Sequence, residues 1–206
     1  MKDLKGKTAV VTGAGSGLGR AMALAFHREG MQLALADVDE AGLAGTRKLV
    51  GSALIMKIDV SRENDVNAFA EKIQNPFLVC NNAGVSPLGA VWENSVADWQ
   101  WILGVNLWGV IHGVRAFAPR LIAAGAGHIV NTASVAGLIS PPGSGAYNVT
   151  KHAVVALSEA LHHDLRERNS PVGVSVLCPA YVPTGISESE RNRPAGLSPS
   201  SIPMPM

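Results

Sequence analysis

One short segment constrains the fold of this chain more than any other: Thr12-Gly13-Ala14-Gly15-Ser16-Gly17-Leu18-Gly19. It follows a β-rich apolar run, Thr8–Thr12, and precedes a helical pattern over residues 20–29 that Gly30 ends. Glycine adopts positive φ and lets a backbone approach a ligand closely. The next helix offers free N–H groups and the positive end of its dipole to an anion. A second strand over residues 32–36 then delivers Asp37, 24 residues beyond Gly13. Strand, glycine turn, helix, strand and acid in this order describe a cradle for a dinucleotide, with the pyrophosphate on the helix and the acid on the ribose. Read singly, the glycines make a tight turn and Asp37 is an exposed turn residue; the joint context favours the cradle. A P-loop of the Walker type does not fit, because Arg20 and Ala21 follow Gly19 where Lys and Ser/Thr would be needed.

Asp37 also bears on cofactor choice. A carboxylate accepts from a ribose 2′-OH and repels a 2′-phosphate. Val38 and Asp39 follow it, with no Arg or Lys directly after. NAD is therefore expected over NADP.

The alternation continues along the chain. The patterns predict a helix over residues 40–50, a strand over 53–58, a helix over 62–74 with Ser61 as N-cap, and a strand over 77–80. A long helical pattern runs from 96 to 124, weakened by Gly104, Gly109 and Gly113. A strand over 128–132, a helix over 146–168 and a strand over 172–177 complete the series. Strands alternating with helices predict an α/β fold of the Rossmann type: a doubly wound, mainly parallel six-stranded sheet in three layers. The expected domain organisation is 1–186 as one dinucleotide-binding and catalytic domain, and 187–206 as a loop or disordered tail rich in Ser, Pro and Arg.

Composition closes off other classes. A formal net charge of +1 provides no field for nucleic acid or an anionic membrane, and 5% aromatic residues provide no base-stacking surface. No apolar stretch reaches membrane-spanning length, and no secretory signal core follows the N-terminal lysines, so a cytoplasmic protein is expected. Cys80 and Cys178 match no zinc spacing, and His112, His152 and His162-His163-Asp164 lack ligand geometry, so no metal is expected. The tryptophans Trp92, Trp99, Trp101 and Trp108 are read as core and subunit packing.

Chemistry enters through Tyr147 and Lys151, which share a helix face one turn apart. An ammonium beside a phenol favours phenolate and is expected to lower the Tyr147 pKa toward neutrality. Ser134, following a strand, is placed to donate to a developing oxyanion. Singly, each residue has a plain reading: a packed Tyr, a surface Lys, a Ser turn or cap, and in Asn106 an amide bonded to neighbouring backbone.

In its motifs the chain resembles the short-chain dehydrogenase/reductase family. The resemblance runs over residues 6–184 and rests on Thr12-Gly13-x-x-x-Gly17-x-Gly19, Asp59-Val60, Asn81-Asn82-Ala83-Gly84, Asn106, Ser134, Tyr147-x-x-x-Lys151 and Pro179-Ala180-x-Val182-x-Thr184. It implies catalytic roles for Asn106 (holding a water in a proton relay), Ser134 (bonding the substrate oxygen), Tyr147 (acid/base) and Lys151 (binding the nicotinamide ribose). It implies cofactor contacts from Gly13, Ser16, Gly17, Leu18, Gly19, Asp37, Asp59, Val60, Asn82, Ala83, Gly84, Tyr147, Lys151, Pro179, Val182 and Thr184. Asp59 and Val60 would meet the adenine. It also implies pairing of the two long helices with a second copy, as a homodimer or homotetramer.

The chain departs from the family at three places. Ala180 stands where Gly is usual. The stretch between Gln74 and Asn81 is short. The sequence stops before the lid and seventh strand that relatives carry, which leaves the sixth strand as an expected open edge. The expected activity is hydride exchange between a nicotinamide cofactor and a secondary alcohol/ketone or aldehyde of small-to-medium apolar type. Val135, Leu138, Ile139, Val182 and Ile186 supply the apolar surroundings. The alternative is a non-catalytic dinucleotide-binding or assembly protein.

Overall fold

A computed structural model describes residues 3–87 and 89–197. Six parallel strands form one sheet in the order β3-β2-β1-β4-β5-β6. They are β1 (Thr8–Thr12), β2 (Gln32–Asp37), β3 (Leu54–Lys57), β4 (Pro76–Asn81), β5 (His128–Thr132) and β6 (Gly173–Leu177). The strand order reverses between β1 and β4, so a crevice opens there beyond the carboxyl ends of the strands.

Alternation of side chains along the strands divides the core into two layers. Ala9 and Val11 of β1, with Leu33 and Leu35 of β2, meet Ala23 of α1 (Gly17–Arg28) and Leu43 and Val50 of α2 (Glu40–Val50). Val10, Val79 and Ile129 face the other way, toward Val66 and Phe69 of α3 (Glu63–Glu71) and Phe117 and Leu121 of α5 (Gly109–Ala124). Leu165 of α6 (Gly145–Glu167) joins this second layer.

The long pattern over 96–124 is one helical run with a change of pitch inside it. Helix α4 (Val96–Leu103) passes through a π turn, Gly104–Trp108, into α5. Ser95 and Asp98 form a capping box at its start. Two of its glycines permit close packing. A Cβ on Gly113 would collide with the Asn81 side chain, and one on Gly109 would meet Val60 at 2.7 Å.

The start of α3 differs from the expected cap. Arg62 is the N-cap and makes no side-chain cap bond; Ser61 Oγ donates instead to Asp59 Oδ1 at 2.7 Å. A nearby carboxylate is the stronger acceptor and draws the hydroxyl away from the helix end.

Among the described residues β6 is an edge strand. Val174 and Val176 pack inward, whereas Ser175 and Leu177 are exposed. The stretch expected to be a loop or disordered tail is folded as far as Leu197, with a 3-10 helix over Gly185–Asn192. The remainder of that expected tail, 198–206, lies outside the described residues. Among the described residues no helix is long and apolar enough to cross a membrane.

Candidate active site

A cavity of about 450 Å³ opens at the carboxyl ends of β1, β2, β3 and β4, in the size range of small-molecule sites. Fourteen of the residues expected from the sequence line it. They are Gly13, Ser16, Gly17, Leu18, Asp37, Asp59, Val60, Asn82, Ala83, Gly84, Tyr147, Lys151, Pro179 and Thr184. Gly19, Asn106, Ser134 and Val182 do not line it.

The glycine turn is fixed by close approach. Gly13 has φ +68°, and a Cβ there would meet Ala83 Cα at 2.8 Å. Gly17 has φ +51°, and its Cβ would meet Thr184 at 3.1 Å. Gly19 is a packing glycine: a Cβ would collide with the Gly13 carbonyl. One hydroxyl ties the turn to the neighbouring strand. Thr12 Oγ1 accepts from the amides of Asn82 and Ala83 at 2.9 and 3.1 Å, and Asn82 Nδ2 returns a bond to Thr12 O at 3.0 Å. Thr132 Oγ1 donates to Asn82 Oδ1 at 3.2 Å, joining β5 to the same knot.

Asp37 belongs to the turn as much as to β2. Its Oδ2 accepts from Gly15 N at 2.7 Å and its Oδ1 from Asp39 N at 2.9 Å. Burial raises its pKa and outweighs the amides that oppose it. Asp39 in turn N-caps α2 by accepting from Gly42 N at 3.0 Å. Arg20 bonds Thr46 at 2.9 Å, Gly42 O at 3.1 Å and Gly15 O, so its charge is spent on clamping the turn to α2. Farther along the rim, His112 Nδ1 bonds Val60 O at 2.9 Å.

At the other end of the cavity α6 presents Tyr147 and Lys151. Lys151 Nζ lies 5.4 Å from the Tyr147 ring centre and donates to Thr132 O at 2.8 Å. Burial lowers the Lys151 pKa from 10.5 to about 8, against a smaller opposing effect of Cys178. Tyr147 does not show the lowered pKa expected of it. Burial raises it, and the neighbouring Ser134 hydroxyl opposes the rise. The physical reason is that Lys151 turns its ammonium to a carbonyl, and both groups lie away from water. Ser134 is held by Ala136 N at 3.2 Å and reaches Pro179 O at 3.5 Å.

Asn106 is wholly buried on the π turn. Its Oδ1 accepts from Val85 N at 2.8 Å, and its Nδ2 donates to Val85 O at 2.9 Å and Thr150 Oγ1 at 3.1 Å. Thr150 Oγ1 donates to Tyr147 O at 2.8 Å. Both amide hydrogens are therefore used, and the side chain braces the backbone that carries Tyr147. Thr132 and Thr150 are site residues that sequence reasoning misses, because a lone Thr carries no pattern, and Thr12 is legible as part of the glycine motif but not in its role of tying the turn to β4.

The segment after Thr184 forms a strap across the cavity. Arg193 meets Asp98 at 2.6 Å and Glu190 at 2.6 Å, both as ion pairs, and lies 4.5 Å over the Trp101 ring. Burial opposes the Asp98 charge, but Ser95 and Arg193 together hold its carboxyl below the usual value. Ser189 Oγ accepts from Ser86 N at 2.9 Å. Trp101 is thereby buried, whereas Trp92 is 85% exposed and contributes nothing to the core.

Comparison with known proteins gives a consistent result. The model of a family described as short chain dehydrogenase matches residues 7–195. A short chain dehydrogenase/reductase from Burkholderia phymatum, crystallised in complex with NAD, is 50% identical with a TM-score of 0.93. The match covers 98% of this chain and 75% of that one. A Mycobacterium tuberculosis protein named as a putative oxidoreductase, SadH, is 40% identical over 197 residues, 92% of this chain and 71% of its own length. A dehydrogenase/reductase of CLA biosynthesis from Lactiplantibacillus plantarum is 34% identical over 212 residues, 98% of this chain and 74% of its own length.

Proposed function

The chain belongs to the short chain dehydrogenase family of NAD(P)-dependent oxidoreductases, and from that premise we propose that it uses NAD to interconvert a secondary alcohol and its ketone, or an aldehyde pair. The observation that carries this reading is the position of Tyr147. It lies between Ser134 and the buried Lys151, in the same cavity as the glycine turn and Asp37.

The residues fit a nicotinamide dinucleotide. Gly13 and Gly17 line the cradle with bare backbone at places where a Cβ would crowd Ala83 and Thr184, and α1 begins there with its free amides. Asp37 keeps a carboxylate at the cavity wall for ribose hydroxyls, and no Lys or Arg pairs with it among the described residues. When bound, the cofactor supplies the hydride acceptor or donor. The protein supplies the proton side of the reaction. Tyr147 takes the hydroxyl proton of an alcohol or returns it to a carbonyl oxygen. Ser134 donates to that same oxygen as its charge changes. Lys151 holds its ammonium near the phenol ring and, by resemblance, binds the ribose. Asn106 and Thr150 fix the helix turn that carries Tyr147.

Leu138 and Ile139, 59% and 56% exposed, and Ile186 on the cavity wall support an apolar substrate. Pairing of the α4–α5 and α6 faces into a dimer or tetramer is proposed from the resemblance, and a solution mass tests it.

The test is NADH formation at alkaline pH from NAD and a panel of secondary alcohols, beside an NADP control. Turnover with NAD should exceed that with NADP. Tyr147→Phe should lower it by about 10²- to 10⁴-fold while leaving NAD bound. NAD binding without turnover by the wild type on any alcohol would favour the binding-protein alternative.

A further inference from the structure

The cavity wall carries four cationic side chains, and three are engaged. Lys151 is buried against Thr132 O, Arg193 is paired with Asp98 and Glu190, and Lys57 lies 3.6 Å from Glu40. Arg191 is different. Its Nη1 donates to the carbonyls of Gly185 and Glu188 at 2.6 and 2.9 Å, and its Nη2 reaches Ser16 Oγ at 3.5 Å. Among the described residues no carboxylate lies within ion-pair distance of it.

The rest of the cradle lacks such a charge. Arg20 is spent on Thr46 and two carbonyls, and Asp37, Asp39 and Asp59 make the neighbouring wall acidic. A pyrophosphate at the start of α1 would otherwise meet only the fractional positive charge of a helix end, about half a unit. A guanidinium is planar and forked, and so matches phosphate oxygens two at a time.

We propose that Arg191 is a cofactor-binding residue that clamps the pyrophosphate against Ser16 and Gly17. It is brought there across 175 residues of sequence by the strap that Arg193 anchors on α4. The strap then serves binding as well as cover: a dinucleotide supplies the counter-charge that Arg191 lacks, and in return holds the strap closed. The proposal rests on the nicotinamide reading of the cavity.

Calorimetric titration with NAD, ADP-ribose and adenosine tests it. Arg191→Gln removes the charge and the fork, and its shorter amide falls short of the Nη1 position that bonds the Gly185 and Glu188 carbonyls, so adenosine serves as the control for a structural loss. It should weaken NAD and ADP-ribose by about 10- to 100-fold and leave adenosine unchanged. Arg191→Lys should fall between. The gap should narrow in about 1 M salt, where the screening length falls to about 3 Å. Unchanged NAD affinity in Arg191→Gln, with the wild type binding normally, overturns the assignment of Arg191 alone. A loss shared by adenosine, or one indifferent to salt, reduces Arg191 to a structural tie and also overturns it. A wild type that binds neither NAD nor ADP-ribose removes the nicotinamide reading, and the clamp with it.

Discussion

The two ends of the cavity are built by different means. Around β1 and β2 the geometry is set by backbone: Gly13 abuts Ala83, Gly19 abuts the Gly13 carbonyl, and Asp37 is held by the amides of Gly15 and Asp39. Around β5, α6 and the strap it is set by buried polar side chains. There Lys151 bonds Thr132, Asn106 bonds Val85 and Thr150, and Arg193 forms an ion pair with Asp98. The first end is sensitive to added volume, because a backbone contact has no side chain that can move aside. The second is sensitive to charge, because removing one buried partner leaves the other unsatisfied.

The comparison can be broken most sharply at Gly13. Gly13→Ala combines a positive φ with a contact of 2.8 Å to the Ala83 backbone, so the turn must move. Denaturant unfolding should show a loss of about 3–4 kcal/mol that is independent of pH, together with weakened NAD binding. A loss below about 1 kcal/mol would mean that the turn adjusts and that backbone contact is not the element fixing this end.

Next in size is Lys151. Its folded pKa of about 8 lies below its usual 10.5, so between these values the unfolded chain binds more protons and stability rises with pH. Burial pushes the Cys80 thiol up to about 12 in both proteins, so the Lys151 contribution is the difference between the wild type and Lys151→Met, which should grow by about 3 kcal/mol across this range. Equal slopes in the two proteins would contradict a buried, titrating ammonium.

Asp98→Asn should have the smallest effect, about 2 kcal/mol, since Arg193 keeps Glu190. The Asp98 pKa is lowered below 3.8, so its contribution is complete above that value and is lost as pH falls below it. The wild type and variant should therefore converge in acid. Persistent separation there would remove the ion pair as the cause.

Legibility in the sequence divides along the same line. The glycine turn, Asp37 and the Tyr147/Lys151 spacing are local patterns, and each lies on the cavity. The strap is not legible. Its Ser, Pro and Arg residues show no apolar periodicity, and its hold on α4 depends on Asp98, which precedes Arg193 by 95 residues. The direction of the Tyr147 shift is hidden because spacing puts Lys151 on the right face without revealing that Nζ turns to Thr132. The cap at Ser61 fails because a carboxylate two residues earlier competes for the same hydroxyl.

The π turn at Gly104–Trp108 has a consequence for the tolerated length of the chain. Each residue in a helix rotates the downstream chain by about 100°. The turn sets the phase of α5 relative to α4, and on that phase depend the seating of Gly109 on Val60 and of Gly113 on Asn81. A π turn closes on one residue more than an α turn, so a single deletion there can be absorbed by closing as α, whereas an insertion would swing both glycines off their partners and carry bulkier neighbours into spaces with no room for a Cβ. Substitutions along this stretch alter one contact at a time, but an inserted residue shifts all of α5 at once.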